Sequence, residues 1–396
     1  MPAAELETLR SAVRGDLILA DSPFYAAARR VWNGNVDRRP AMVLRCTGPA
    51  DVQRAVDFVR TRGLLVSVRG GGHSAPGYGT NDGGVVIDMS RMKGIQVDPA
   101  RRINLLSADV VTADGKFRIA SASDNSDLFW ALRGGGGNFG AVTSFEYRLH
   151  PVSEVLGGML LYPLDQAAAL LRFYRDLCAT LPDEAEAYAA LLTSPEGAPL
   201  AALLLGYNGP IAEGEKALAP ARAFGRPIAD LVAPMPHAAR QSMLDDPGAK
   251  HGLHRYWRSA YVDRLPDEFI DLLVKAAAGF SSPLSSFFLF HQHGAATRVP
   301  TAATAYAARR PLWDFDAVGQ WADAGESAGH IAWVREVWGR LQPHLLGSVY
   351  INHMAADDRP ETVRASYGEN YARLREVKTA YDPANLFRVN SNITPA

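Results

Sequence analysis

The sequence predicts an α+β fold, a sheet covered by helices, and three observations carry that prediction. Beyond Pro151, helical patterns at 166–180, 211–225 and 267–278 alternate with strand-like runs at 189–193, 200–206 and 286–296. Before Pro151, two glycine-rich loops punctuate short strands and helices. The composition, 47% hydrophobic and 21% charged over 396 residues, is that of a chain able to bury a core, and it excludes bulk disorder.

Taken in order, the helical rhythm at 51–61 follows Pro49, favoured at a helix start, and runs through Gly63 into a strand at 64–68. That strand enters Arg69-Gly70-Gly71-Gly72-His73-Ser74, and a turn-rich stretch then precedes a strand at 85–88. Consecutive glycines cost chain entropy, so they mark backbone that turns unusually or approaches something closely. Runs at 105–112 and 116–120 flank Asp114-Gly115, a hairpin signal. Asn125 or Ser126 is placed to cap a short helix at 127–133, which Gly134 to Gly137 stop before a strand at 141–149. Pro151 and Gly157-Gly158 mark a boundary. A last helix at 361–380 is closed by Tyr381-Asp382-Pro383.

The charge balance, 41 basic against 42 acidic residues, provides no global field for nucleic acid or anionic membrane. The most apolar run, 200–207, is far shorter than the ~20 residues of a membrane span. Two cysteines make no disulfide framework, and the N-terminus lacks a signal-peptide pattern, so the expected compartment is the cytoplasm.

Gly135, Gly137 and Gly140 satisfy G-x-G-x-x-G, but they follow a helix and lead into a strand, the reverse of a dinucleotide fingerprint. No Walker-type phosphate loop exists. Arg69 to Ser74 instead suits an anion nest of backbone amides, with an ordinary tight turn as the alternative.

Val68 to Ser74 (VRGGGHS), 104–115 (NLLSADVVTADG), 127–142 (DLFWALRGGGGNFGAV) and 381–393 (YDPANLFRVNSNI) resemble, in order, the signatures of the berberine bridge enzyme-like flavoprotein oxidases. These belong to the vanillyl-alcohol oxidase type of FAD-binding fold, also called PCMH-type. The resemblance implies a two-part FAD-binding domain, 1–152 with 355–396, and an inserted substrate domain of antiparallel sheet covered by helices, 153–354. It implies FAD as cofactor, cradled by Arg69, Gly70, Gly71, Gly72, His73 and Ser74, with Gly140, Val142, Asn390 and Asn392 as further contacts. His73 would carry the flavin on its 8α-methyl group. The implied chemistry is oxidation of a hydroxyl or activated C–H group of a sugar or secondary metabolite, hydride passing to flavin and O2 reoxidising it.

The chain departs from that family between residues 98 and 104, where further strands and a flavin loop ordinarily lie. Neither Cys46 nor Cys178 can replace the cysteine of bicovalent relatives, and both read as small buried apolar residues. Two readings therefore stay beside the flavin oxidase: a non-redox cyclase or isomerase on the same scaffold, and a ligand-binding protein that has lost FAD. Tyr350, in Val349-Tyr350-Ile351-Asn352, resembles a strand tyrosine near the flavin in relatives, and is the candidate base. His291 is the second catalytic candidate, with core burial as its equal alternative. His291 and His293 form H-x-H, but no third ligand is recognisable and no metal is expected.

Overall fold

The computed structural model describes residues 2–97, 106–152, 154–245 and 250–396. The chain divides into two compact units, one of residues 1–150, 300–307 and 356–396, the other of 151–299 and 308–355. The stretch 98–104, where the family pattern breaks, lies outside the described residues. No described helix is long and apolar enough to cross a membrane.

The first unit holds two sheets. In one, β1 (Asp16–Leu19) pairs antiparallel with β2 (Met42–Arg45), and β2 and β3 (Val66–Arg69) flank β4 (Val85–Asp88) in parallel. The helix Pro49–Arg62 buries Val52, Val56 and Val59 in the same core as Met42, Leu44 and Ile87, and Gly63 in left-handed conformation ends it. Cys46 is fully buried beside them, and burial pushes its thiol up, which makes it inert packing.

The second sheet has the order β6-β5-β7, with β5 (Ser107–Val111) between β6 (Phe117–Ser121) and β7 (Ala141–Glu146). Its first turn is the hairpin expected at Asp114-Gly115, with Val111 opposite Phe117. Large apolar side chains stand exposed here: Phe117, Ile119 and Phe145, with Leu106, Tyr147 and Leu149 beside the strands.

The second unit is built on an antiparallel sheet. Its main path runs β11 (Ala229–Asp230), β8 (Glu154–Pro163), β10 (Pro199–Tyr207), β9 (Ala185–Thr193), β14 (Ser286–Gln292), β15 (Leu312–Trp321) and β13 (His254–Val262), and β12 (Ala233–Pro236) also pairs with β8. Helices Ala167–Cys178, Ile211–Arg222, Asp267–Ala277 and Ser327–Leu341 cover one face, where Leu203, Leu289, Phe315 and Ala317 meet Leu170, Tyr174, Leu218, Phe269 and Val334. Strand alternation sends Tyr188, Phe288, Phe290 and Trp257 to the opposite face, where they are half-buried. This is the α+β architecture read from the sequence.

Several elements differ from expectation. Gly157-Gly158 is no boundary but lies inside β8. The last helix is two, Pro360–Tyr367 and Tyr371–Tyr381, broken where Gly368 takes a positive φ of 51°. The strand at 286–296 stops at Gln292, and Ala295–Arg298 turns helical after Gly294. Asn125 is itself left-handed and makes no side-chain cap; its amide donates to the Ile119 carbonyl instead.

Candidate active site

The glycine loop is held from outside. Trp32 donates its amide to the Gly72 carbonyl, Asn33 Nδ2 donates to Ala75, and Arg38 donates to Gly77 and Thr80. Arg69 anchors its start: the side chain is buried, pairs with Asp88 through Nη2 at 2.6 Å, and donates to the Ala28 and Arg30 carbonyls. The guanidinium, a cofactor contact in the sequence reading, is thus committed to the strand pair.

Past Arg69 the loop bares its amides. No described residue accepts from the backbone N–H of Gly70, Gly71, Gly72 or Ser74. Gly72 has a φ of +72°, the reversal that only glycine takes freely. A side chain at Gly70 would meet open space. Unpaired consecutive donors around a left-handed turn form a concave anion site. His73 is exposed next to them, its ring stacked on Trp32 at 5.8 Å between centroids.

The C-terminal segment is stitched to the second glycine run. Lys378 Nζ, fully buried, donates to Asp382 at 2.6 Å and to the carbonyls of Asn138 and Phe387. Asp382 accepts in turn from the amides of Leu386 and Phe387. Asn138 donates to the Gly135 and Ser391 carbonyls and accepts from the Ile393 amide. Asn390 uses its Nδ2 on Gly137 and Phe387, which leaves its Oδ1 buried without a donor; Asn392 Oδ1 is in the same state. Buried acceptors without partners are uncommon in a native structure and suit a ligand that brings donors. Gly140 has a different explanation. It has a φ of +156°, and a Cβ there would lie 2.6 Å from the Val111 carbonyl oxygen, so close strand packing dictates this glycine. Val142 is half-buried in β7 opposite Val110.

In the second unit, Tyr350 opens the turn Ile351–His353 instead of lying in a strand. Asn352 Nδ2 donates to its phenol oxygen at 2.7 Å, and the His353 ring meets it edge-on at 5.0 Å. His353 also contacts Asp314 and Asp316 of β15, a cluster the sequence reading missed. Its signal was legible: two aspartates spaced for one strand face inside an otherwise apolar run.

His291 does not join that group. It pairs with Trp313 in register with Phe315 and Leu289, on the helix-covered face, whereas His353 meets Asp314 and Asp316 on the other. Burial lowers its pKa to about 4, helped by His293, whose ring stacks on it at 5.0 Å. His291 is a neutral imidazole beside the core. Cys178 is buried at a helix end, its thiol pushed up to about 12 by burial.

The family "FAD binding domain" matches residues 40–105, and "Berberine and berberine like" matches residues 349–394. The (R)-6-hydroxynicotine oxidase of Paenarthrobacter nicotinovorans is 25% identical over 97% of both chains. The FAD-linked oxidoreductase aurO of Gibberella zeae is 26% identical over 95% of this chain and 85% of its own. Among solved structures, 6-hydroxy-D-nicotine oxidase from Arthrobacter nicotinovorans superposes with a TM-score of 0.88 at 25% identity, covering 97% of this chain and 98% of its own. Xylooligosaccharide oxidase from Myceliophthora thermophila shares the fold at a TM-score of 0.86, 20% identity and full coverage of both.

The fold and the glycine loop define an FAD-linked oxidoreductase. More particularly, residues 349–394 match the berberine and berberine-like family, in line with the resemblance its sequence signatures carry. The alignment with the nicotine oxidase runs over 455 positions against 396 residues here, so that relative contains stretches this chain lacks.

Proposed function

We propose that this protein oxidises a hydroxyl or activated C–H group of a small sugar or secondary metabolite, with FAD as hydride acceptor and O2 as final acceptor. The observation that carries this reading is the set of unpartnered amides of Gly70, Gly71, Gly72 and Ser74, with the exposed His73 among them. Bound FAD would supply a two-electron acceptor that no side chain offers.

The chain's own residues then have distinct tasks. The amides of Gly70, Gly71, Gly72 and Ser74 hold the pyrophosphate. Asn390 Oδ1 and Asn392 Oδ1, orphaned and buried, accept from donors of the flavin ring or ribityl chain. His73 is the side chain for covalent attachment, an exposed imidazole whose ring stacks on Trp32. Tyr350, acting as the phenolate, takes the proton of the substrate hydroxyl at its oxygen, which Asn352 fixes by a donated hydrogen bond.

One observation favours the flavin-free reading. The exposed Phe117, Ile119 and Phe145, in a chain shorter than its alignment with a relative, mark a cofactor domain missing a cover. Both readings meet in one assay. FAD-loaded protein offered a panel of aldoses and aromatic alcohols should consume O2 and release peroxide. Product formed without oxygen uptake would identify a non-redox catalyst instead.

A further inference from the structure

Beyond Tyr350, the open face of the second unit's sheet carries a charged cluster with no assigned role. Asp314 and Asp316 lie two residues apart on β15, so alternation puts both carboxylates on one face. His353 Nδ1 lies 3.0 Å from Asp314 and 3.2 Å from Asp316. Asp316 is fully buried, and no described residue donates a hydrogen bond to it. His353 Nδ1 likewise has no hydrogen bond of good geometry, so its contact with the two carboxylates is an ion pair, and an imidazolium there offsets the buried negative charge.

Two carboxylates around one imidazolium would leave a net negative charge, which disfavours ionisation of both acids. Burial, with the charge of Asp316, pushes the Asp314 carboxyl up; Ser259 donates to its Oδ1 at 3.0 Å. Burial opposes a charged His353, but Asp316 and Asp314 outweigh it and raise the ring to about 10. The remaining contacts are aromatic: Trp257 from β13 at 5.2 Å, Phe290 from β14 at 6.4 Å and Tyr350 from the same turn at 5.0 Å. These fix the ring plane. No described residue partners Nε2.

We propose that His353 is a fixed hydrogen-bond donor to the substrate, its Nε2–H offered to a hydroxyl oxygen, with Asp314 and Asp316 as the positioning residues that hold its other nitrogen. This rests on the oxidase reading and narrows it. A permanent cation beside Tyr350 strengthens as a donor while that oxygen gains negative charge, and it repels an ammonium group. The substrate class is therefore a neutral hydroxyl compound, not a protonated amine. His353 keeps both protons throughout.

The test uses FAD-loaded protein with 15N-labelled histidine. At about pH 8, between the ordinary histidine value of 6.5 and about 10, one ring should be doubly protonated, its signal absent from His353→Gln. In Asp316→Asn the pKa of that ring should fall, with near-UV circular dichroism unchanged. Anaerobic flavin reduction by an aldose and by a benzylic alcohol should slow by about 100-fold in His353→Gln, the scale of losing one transition-state donor. Benzylamine should not reduce the flavin of the parent protein, and its doing so would overturn the substrate assignment.

A neutral ring in the parent protein, a ring unmoved in Asp316→Asn, or one divalent metal ion per chain by elemental analysis overturns the proposal. So does His353→Gln reducing flavin at the parent rate, which leaves the oxidase reading intact. If no alcohol reduces the flavin while the ring titrates as described, the oxidase reading fails and the substrate assignment falls with it.

Discussion

The β6-β5-β7 sheet of the first unit and the antiparallel sheet of the second solve burial in opposite ways. The larger sheet sends Leu203, Phe287, Leu289 and Phe315 into one core under four helices, all nearly or fully buried. The smaller sheet leaves Phe117, Ile119 and Phe145 in solvent. The polar loops of the first unit are nonetheless tightly held, by Lys378–Asp382 at one end and Arg69–Asp88 at the other. A site can thus keep its polar framework while the apolar sheet beside it stays uncovered. In this chain the family signatures survive in the stitched loops.

The comparison can be broken at several points. The largest effect is expected from Asp382→Ala, which strands Lys378 as a buried unpaired charge and frees two amides. It should cost about 3–5 kcal/mol in denaturant unfolding. Leu203→Ala, in the core of the larger sheet, should cost about 2–5 kcal/mol by the same measurement.

Next comes pH. The folded protein holds a proton on His353 up to about pH 10, whereas the unfolded chain releases it near 6.5. The stabilisation is therefore complete below about 6.5 and lost as pH rises toward 10. Thermal unfolding across that window should show the decline, and Asp316→Asn should flatten it. Smallest is Ile119→Thr on the exposed sheet, expected within about 0.5 kcal/mol of the parent, with reduced binding of a hydrophobic dye. A large loss there would mean that this face is covered in solution.

What the sequence made legible follows the same division. Local signals were readable: the Asp114-Gly115 hairpin, the helix after Pro49 and the strands of the second unit rest on turn chemistry and periodicity. The bared amides lie in the loop that consecutive glycines marked. Three features were not readable. Tyr350 resembles a strand tyrosine of relatives, but the backbone turns there, and only tertiary context decides that. His291 was a candidate by residue type alone; its face depended on register with β15, which single-strand alternation does not reveal. The Asp314 and Asp316 pair was legible on one strand face, but its meeting with His353, distant in sequence, was not.

The central claim is that the loop from Gly70 to Ser74 grips FAD. The visible absorption spectrum of the purified protein, before and after acid precipitation, tests it most directly. A flavin spectrum in the native protein is predicted, with the colour staying in the precipitate through His73 and leaving it in His73→Ala. A colourless protein that takes up no added FAD would contradict the account.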